Sequence, residues 1–147
     1  MKRFSQMICL LLIAAMLFAI PAYAAEEVSP RSSSYFGSYS SYLWKTSNTQ
    51  FQVWFNVKAL RGMEILGASE IKVQRSSDAS SWTTVWTYTK EVYPQMVAYG
   101  TGAHGNYVTY NAAPGYYYRA YVQYYAKDSS GSAYLQDYTS YIYIPSN

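Results

Sequence analysis

Residues 116–126 read Tyr-Tyr-Tyr-Arg-Ala-Tyr-Val-Gln-Tyr-Tyr-Ala and carry the clearest β pattern of the chain. Alternation places Tyr118, Ala120, Val122 and Tyr124 on one face, and Tyr117, Arg119, Tyr121, Gln123 and Tyr125 on the other. Pro114-Gly115 predicts a sharp turn before this strand, and residues 127–132 predict a polar turn after it. With a return strand at 134–144, the segment predicts a long antiparallel hairpin with one buried face.

Upstream segments repeat the period-two pattern. Residues 50–58 predict a strand with inward Phe51, Val53, Phe55 and Val57, which we expect to end at Arg61-Gly62. Residues 69–75, with Ile71 and Val73 inward, and residues 82–89 predict a second hairpin around the polar turn 76–81. We expect Trp82 and Trp86 in the core and Trp54 on the outer side of its strand.

Two segments are less regular. Residues 91–113 contain Tyr93-Pro94 and three glycines around His104, which predicts a loop with only a short strand at 107–110. Residues 25–41 are Ser-rich and interrupted by Pro30 and Gly37, which predicts a flexible N-terminal segment before a short first strand at 42–46.

The N-terminus predicts export. Lys2 and Arg3 precede an unbroken apolar run from Ile8 to Ile20, and Ala22-Tyr23-Ala24 offers small residues where a signal peptidase cleaves. This run is too short for a bilayer-spanning helix, which needs about 20 apolar residues. We therefore expect residues 1–24 to be a cleaved signal peptide, with no integral membrane span afterwards. The product would be secreted, or periplasmic if the source is Gram-negative.

Composition narrows the class of the remaining chain. The only cysteine, Cys9, lies in the signal peptide, so we expect neither a disulfide nor a lipid anchor. Without Lys2 and Arg3 the formal net charge of +3 falls to +1, and no basic cluster suits nucleic acid. Tyrosine occurs 19 times, and all but Tyr23 follow Ala24. Because tyrosine favours strands and helix-forming segments are missing, the sequence predicts an all-β domain at 42–147.

The strand pattern predicts a single antiparallel β-sandwich of about seven strands. Residues 42–145 resemble a fibronectin type III or immunoglobulin-like sandwich, in which a Pro-Gly turn leads into a tyrosine followed by alternating apolar residues, as in residues 114–122. The resemblance implies that Tyr118 is a corner tyrosine whose hydroxyl bonds to the upstream backbone. The whole chain resembles small secreted proteins of Gram-positive bacteria. The expected core consists of Phe51, Val53, Phe55, Val57, Ile71, Val73, Tyr118, Ala120, Val122, Ile142 and Ile144.

Catalytic and metal-binding motifs are missing. His104 is the only histidine, and we interpret it as a solvated loop residue in preference to a base or ligand. The acidic residues Glu64, Glu70, Asp78, Glu91, Asp128 and Asp137 are interpreted as surface charge in preference to a hydrolytic pair. We therefore predict no catalytic residue, no metal and no cofactor.

The aromatic strand faces are the remaining candidate site. Tyr117, Tyr121 and Tyr125 share a phase opposite to Val122, and Tyr141 and Tyr143 join them if Ile142 and Ile144 face the core. One interpretation is cross-strand packing; the other is an exposed face, poor in charge, that binds a neutral glycan, a peptide or a second copy. The sequence thus favours an exported non-catalytic binding or surface-matrix module. The alternative is a small secreted enzyme or toxin acting on envelope material.

Overall fold

The structure is a computed structural model that describes residues 32–146. The predicted signal peptide, with Cys9, and residues 25–31 of the predicted N-terminal segment lie outside the described residues. The elements are α1 (Ser32–Tyr35), β1 (Phe36–Ser47), β2 (Gln50–Ser76), β3 (Thr83–Thr89), a 3-10 turn (Pro94–Met96), β4 (Val97–Asn111), β5 (Tyr116–Asp128), β6 (Gly131–Tyr138) and β7 (Ile142–Ile144). The all-β class is therefore confirmed.

All seven strands belong to one sheet, and every pairing is antiparallel. The long strand β2 organises it. Its residues 50–59 pair with β1 and its residues 50–67 pair with β4. Its residues 65–76 pair with β5 and its residues 70–75 pair with β3. β6 and β7 both pair with β5. The predicted number of strands is thus confirmed, but they form a single curled sheet.

The predicted end of a strand at Arg61-Gly62 is wrong, because β2 continues from Gln50 to Ser76. The pairing with β4 becomes irregular there: Lys58 pairs with Ala103, and the next paired residue of β2 is Met63, opposite Thr101. The extra residues of β2 form a bulge, and bulges bend a strand and increase its twist. Arg61-Gly62 therefore marks a bend within β2 and not the end of a strand.

The sheet edges β1 and β6 approach each other across the interior. The ring centroids of Tyr39 in β1 and Tyr124 in β5 lie 5.3 Å apart, and the Ser41 hydroxyl donates to Asp137 Oδ2 of β6 at 3.0 Å. One buried cluster of aliphatic and aromatic side chains fills the interior of the curled sheet. Of the eleven residues expected in the core from the strand patterns, all are buried except Ile142, which packs against the cluster while partly exposed. The prediction that Trp82 and Trp86 lie in the core is wrong, because Trp82 is partly exposed and Trp86 is 51% exposed.

The first strand begins at Phe36, six residues before the predicted start at Tyr42. Tyr35, just before it, is buried, and its hydroxyl donates to Asp128 Oδ1 at 3.3 Å. The Arg61 guanidinium lies 5.1 Å from the Tyr35 ring centroid and also contacts Asp128 at 2.6 Å. These contacts attach the start of β1 to the β5–β6 turn. The local sequence around Tyr35 does not predict them, because Asp128 lies 93 residues further along the chain.

The segment 91–113 is more regular than predicted, because β4 extends over 15 residues. Its glycines were interpreted as loop residues, but Gly105 lies within the strand. A Cβ at Gly105 would lie 2.2 Å from Asn56 Oδ1, so the residue permits close approach of the paired strand. His104 is therefore a strand residue and not the predicted solvated loop residue.

The C-terminal hairpin is present, with a longer first strand and a tighter turn than predicted. β5 extends to Asp128, and β6 begins at Gly131. The expected continuous return strand 134–144 is interrupted, because at the buried Thr139 the side-chain hydroxyl takes the place of a backbone carbonyl in the ladder. Its hydroxyl accepts the Ala120 N–H and its own N–H donates to the Ala120 carbonyl, both at 2.9 Å. Two short strands therefore replace one.

No helix among the described residues is long and apolar enough to cross a membrane.

Candidate functional site

The five predicted tyrosines lie on the same outer side of the sheet. Tyr117, Tyr121 and Tyr125 are half-buried along β5, whereas Tyr141 and Tyr143 are exposed. The Tyr117 ring contacts Tyr141 and Tyr143, with centroid distances of 5.6 and 4.9 Å. Tyr121 and Tyr125 stand further along the same strand, and four residues of an antiparallel strand span about 14 Å. The predicted tyrosines therefore form an elongated row.

Strand β6 adds two tyrosines that were not predicted as part of this site. Tyr138 lies 5.3 Å from Tyr121 and Tyr134 lies 5.0 Å from Tyr125, measured between ring centroids. Both β6 residues directly oppose their β5 partners in the register. Knowledge of the β5–β6 register would have identified them. We call the combined surface the tyrosine face: Tyr117, Tyr121, Tyr125, Tyr134, Tyr138, Tyr141 and Tyr143.

Polar side chains separate the aromatic pairs of the tyrosine face. Between the Tyr121–Tyr138 and Tyr125–Tyr134 pairs, Gln123 opposes Gln136. Between Tyr117 and Tyr121 lies Arg119, whose Nε donates to Gln74 Oε1 at 2.8 Å. Aromatic pairs therefore alternate along β5 with amide and guanidinium groups that can donate hydrogen bonds.

Trp82 also belongs to this surface, although it was predicted in the core. Its ring lies 4.5 Å from the Arg119 guanidinium carbon and 6.1 Å from the Tyr141 ring. The cause is a bulge in β3: Val73 pairs with Trp86 but Gln74 pairs with Thr84, which leaves one extra residue on β3. That residue reverses the alternation, so Trp82 and Trp86 do not share a face.

The tyrosine face carries more charge than predicted. Arg119 lies between the rings of Trp82 and Tyr138, 4.6 Å from the latter. Lys72 lies 5.2 Å from the Tyr121 ring centroid, and Lys90 lies 5.5 Å from that of Tyr125. Such placements give cation–π attraction.

Two of these cations have carboxylate partners. Lys72 Nζ lies 2.7 Å from Glu70 and Lys90 Nζ lies 2.6 Å from Glu91, and hydrogen bonding to these carboxylates raises the pKa of each lysine. Within residues 32–146, Arg119 makes no salt bridge. The local surplus of positive charge on this face therefore comes from Arg119.

A second aromatic row lies on the outer side of β1, β2 and β4. The Trp54 ring lies 6.2 Å from that of Tyr42 and 4.6 Å from that of Tyr107. The three residues are direct cross-strand partners. Trp54 was correctly expected on the outer side; its neighbours depend on long-range register, which alternation within one strand does not supply.

His104 and the acidic residues make local structural contacts. His104 Nε2 lies 3.0 Å from the Gln95 carbonyl oxygen, and its ring packs 5.7 Å from Phe55. Asp78 accepts hydrogen bonds from the backbone N–H groups of Ser80 and Ser81, which hold its pKa well below the usual range. In the described part of the chain, no three His, Cys, Asp or Glu side chains come together to hold a metal ion.

Comparison with protein-family models, curated proteins and solved structures gives no match to this chain.

Proposed function

We propose that this protein is an exported, non-catalytic binding module that binds a neutral polysaccharide of the cell surface or matrix through the tyrosine face. The observation that carries the proposal is the alternation of cross-strand tyrosine pairs with Gln123–Gln136 and Arg119. Aromatic rings pack against the apolar faces of sugars, and the polar groups between them can bond to hydroxyls.

The length of the row favours a polymer as the ligand. From Tyr117 to Tyr125 the row spans about 27 Å at the rise of an antiparallel strand. A ligand of this length contacts several weak subsites at once, so the affinity does not depend on a deep pocket. The charged groups do not oppose a neutral ligand, because Lys72 and Lys90 are already paired with carboxylates.

The experiment is co-sedimentation of the purified protein with insoluble cellulose, chitin, xylan and bacterial cell wall. The test variant combines Tyr121→Ser with Tyr125→Ser, and the control combines Tyr42→Ser with Tyr107→Ser in the second aromatic row. Removing two contact aromatics should weaken binding at least tenfold, since such a side chain contributes about 1–2 kcal/mol or more. The control should bind as the parent does.

Folding of each variant is monitored by circular dichroism and its urea midpoint. If the Tyr121/Tyr125 variant unfolds, the more exposed pair Tyr138→Ser and Tyr143→Ser replaces it. Binding to none of the four polymers, or equal binding by the parent and the tyrosine-face variants, would refute the proposal.

For the compartment, we propose cleavage after Ala24 and release from the membrane. The support is the charged start, the apolar run and the small residues before Ala25. Mass spectrometry of the exported protein should give an N-terminus at Ala25. An intact Met1, or lipid on Cys9, would contradict this.

For the fold type, we propose an immunoglobulin-like sandwich whose two halves share β2. The support is the hydrogen bond from the Tyr118 hydroxyl to the Ala113 carbonyl, at 2.8 Å, which matches the corner expected from the resemblance. An experimental structure with a backbone ladder between β1 and β6 would instead make the fold a closed barrel.

A further inference from the structure

A cleft lies between the edges of β3 and β4, away from the tyrosine face. Its volume is about 660 Å³, within the range of ligand-binding cavities. Trp86, Tyr88 and Tyr93 line one side, and Tyr107 to Asn111 of β4 line the other. The lining contains no charged side chain, so it favours an uncharged occupant.

Trp86 shows that the core is open at this cleft. It pairs with the fully buried Val73, which places it in the inward phase of the sheet, and Tyr88 two residues later is 5% exposed. Trp86 itself is 51% exposed. An inward-facing tryptophan that is half exposed leaves a large apolar surface in water.

The edge of β4 adds backbone groups to the cleft. Within the described residues β4 pairs with β2 alone, so its other edge has no strand partner. The side chains of His104 and Asn106 contact the Gln95 carbonyl oxygen. The segment around Gln95 therefore covers the free edge of β4 as far as residue 106. Beyond it, the Thr109 carbonyl accepts a hydrogen bond from the Tyr88 hydroxyl at 2.8 Å. This carbonyl therefore faces the cleft, and because a carbonyl oxygen has two lone pairs, a second donor there can bond to it beside the Tyr88 hydroxyl.

The sequence of β4 lacks the usual protection of an edge strand. Such strands commonly carry a charged side chain or proline, which discourages pairing with another chain. Residues 97–111 contain no Lys, Arg, Asp, Glu or Pro. The part that borders the cleft, residues 107–111, has the length of about five residues of an extended chain. Its Tyr107 N–H already donates to Asn106 Oδ1, so pairing there relies on the remaining backbone groups.

We propose that the cleft binds an extended, uncharged peptide segment of a partner protein, which adds a strand to β4 at residues 107–111 and covers Trp86. Backbone hydrogen bonds to the edge would contribute affinity, and alternate side chains of the peptide would enter the apolar cleft. A glycan is less suited, because the edge presents a regular series of peptide groups that another backbone matches in spacing.

The test is selection from a phage library of random heptapeptides on the purified protein. Enriched peptides should be uncharged and rich in β-branched and aromatic residues. Their affinity, measured by fluorescence polarisation, should fall at least tenfold with Trp86→Ser. It should not change with Trp44→Ser, which removes a 60% exposed tryptophan from β1. Urea midpoints of both variants report on folding.

A second probe tests the backbone pairing. An enriched peptide with N-methyl groups on alternate residues cannot donate backbone hydrogen bonds along one of its two edges. Two such peptides exist, methylated on the odd or on the even residues. One of them should lose binding and the other should retain it. No enriched peptide, equal loss with both tryptophan variants, or binding of both methylated peptides would overturn the proposal. So would a concentration-dependent dimer that Trp86→Ser abolishes, since a second copy would then occupy the cleft.

Discussion

The rings of Phe51 and Tyr118 lie 5.3 Å apart between centroids, although Tyr118 pairs with Arg75 near the opposite end of β2 from Phe51. A straight strand rises about 3.4 Å per residue, which would separate Phe51 and Arg75 by about 80 Å. Strand β2 must therefore bend back over itself. Both rings are fully buried, so the contact between the two halves of the sheet is part of the core.

Replacing Tyr118 by phenylalanine should lower the free energy of unfolding by about 1 kcal/mol. The substitution removes the hydroxyl that donates to the Ala113 carbonyl at 2.8 Å and leaves the ring in place. Urea denaturation measures the effect, with the exposed Tyr143→Phe as a control. Equal midpoints for both variants would mean that the corner hydrogen bond contributes nothing.

Replacing Tyr124 by phenylalanine should leave stability unchanged or raise it. The Tyr124 hydroxyl is buried and makes no hydrogen bond of good geometry among the described residues. Burial raises the Tyr124 pKa more than the nearby Ser41 hydroxyl, which already donates to Asp137, lowers it. Removal of the Tyr124 hydroxyl ends a desolvation cost and keeps the packing against Tyr39. Tyr124 and Tyr118 lie on the same face of β5, so the same urea experiment compares them. A loss of 1 kcal/mol or more at Tyr124 would contradict the prediction.

Gly67→Ala should destabilise the protein by about 1–3 kcal/mol, because the added carbon overpacks the core. A Cβ at Gly67 would lie 2.1 Å from the Met96 carbonyl oxygen and 2.7 Å from the Val97 Cα, and both are backbone atoms. The matched control is Gly62→Ala, where a Cβ meets nothing within 4 Å. We expect the control to stay within about 0.5 kcal/mol of the parent in urea denaturation. Similar losses at both positions would refute the argument.

Gly62 and Gly67 show how far the local sequence predicts this fold. Alternation predicted the inward faces of residues 50–58 and 116–126, because one side of each strand is buried. It could not distinguish a glycine that ends a strand from one that permits a bulge or a close approach. That distinction depends on what lies opposite, such as Met96 beside Gly67. The continuity of β2 and the length of β4 were missed for this reason.

The candidate site shows the same limit. The outward phase of Tyr117, Tyr121 and Tyr125 follows from β5 alone. Tyr134 and Tyr138 join them only through the β5–β6 register, and Trp82 only through the bulge opposite Val73 and Gln74. Features that need the alignment of two strands therefore became visible in the structure, whereas features of one strand were predictable.

Acid should remove a stabilising contribution of Asp128. Hydrogen bonds from Ser130 and the Arg61 guanidinium hold the pKa of Asp128 well below its usual range. Because the pKa is lower in the folded chain than in the unfolded chain, where it is about 3.9, the unfolded chain takes up the proton first. The stabilisation is therefore complete above about pH 4 and decreases as the pH falls towards the folded-state pKa. We expect Asp128→Asn to have a lower urea midpoint than the parent at pH 7, and the difference should shrink between about pH 4 and pH 2.

Glu64→Gln, at an exposed position of β2, is the control and should show a small difference from the parent at both pH 7 and pH 2. A difference for Asp128→Asn that stays constant from pH 7 to pH 2 would mean that its charge does not attach the β5–β6 turn to Arg61.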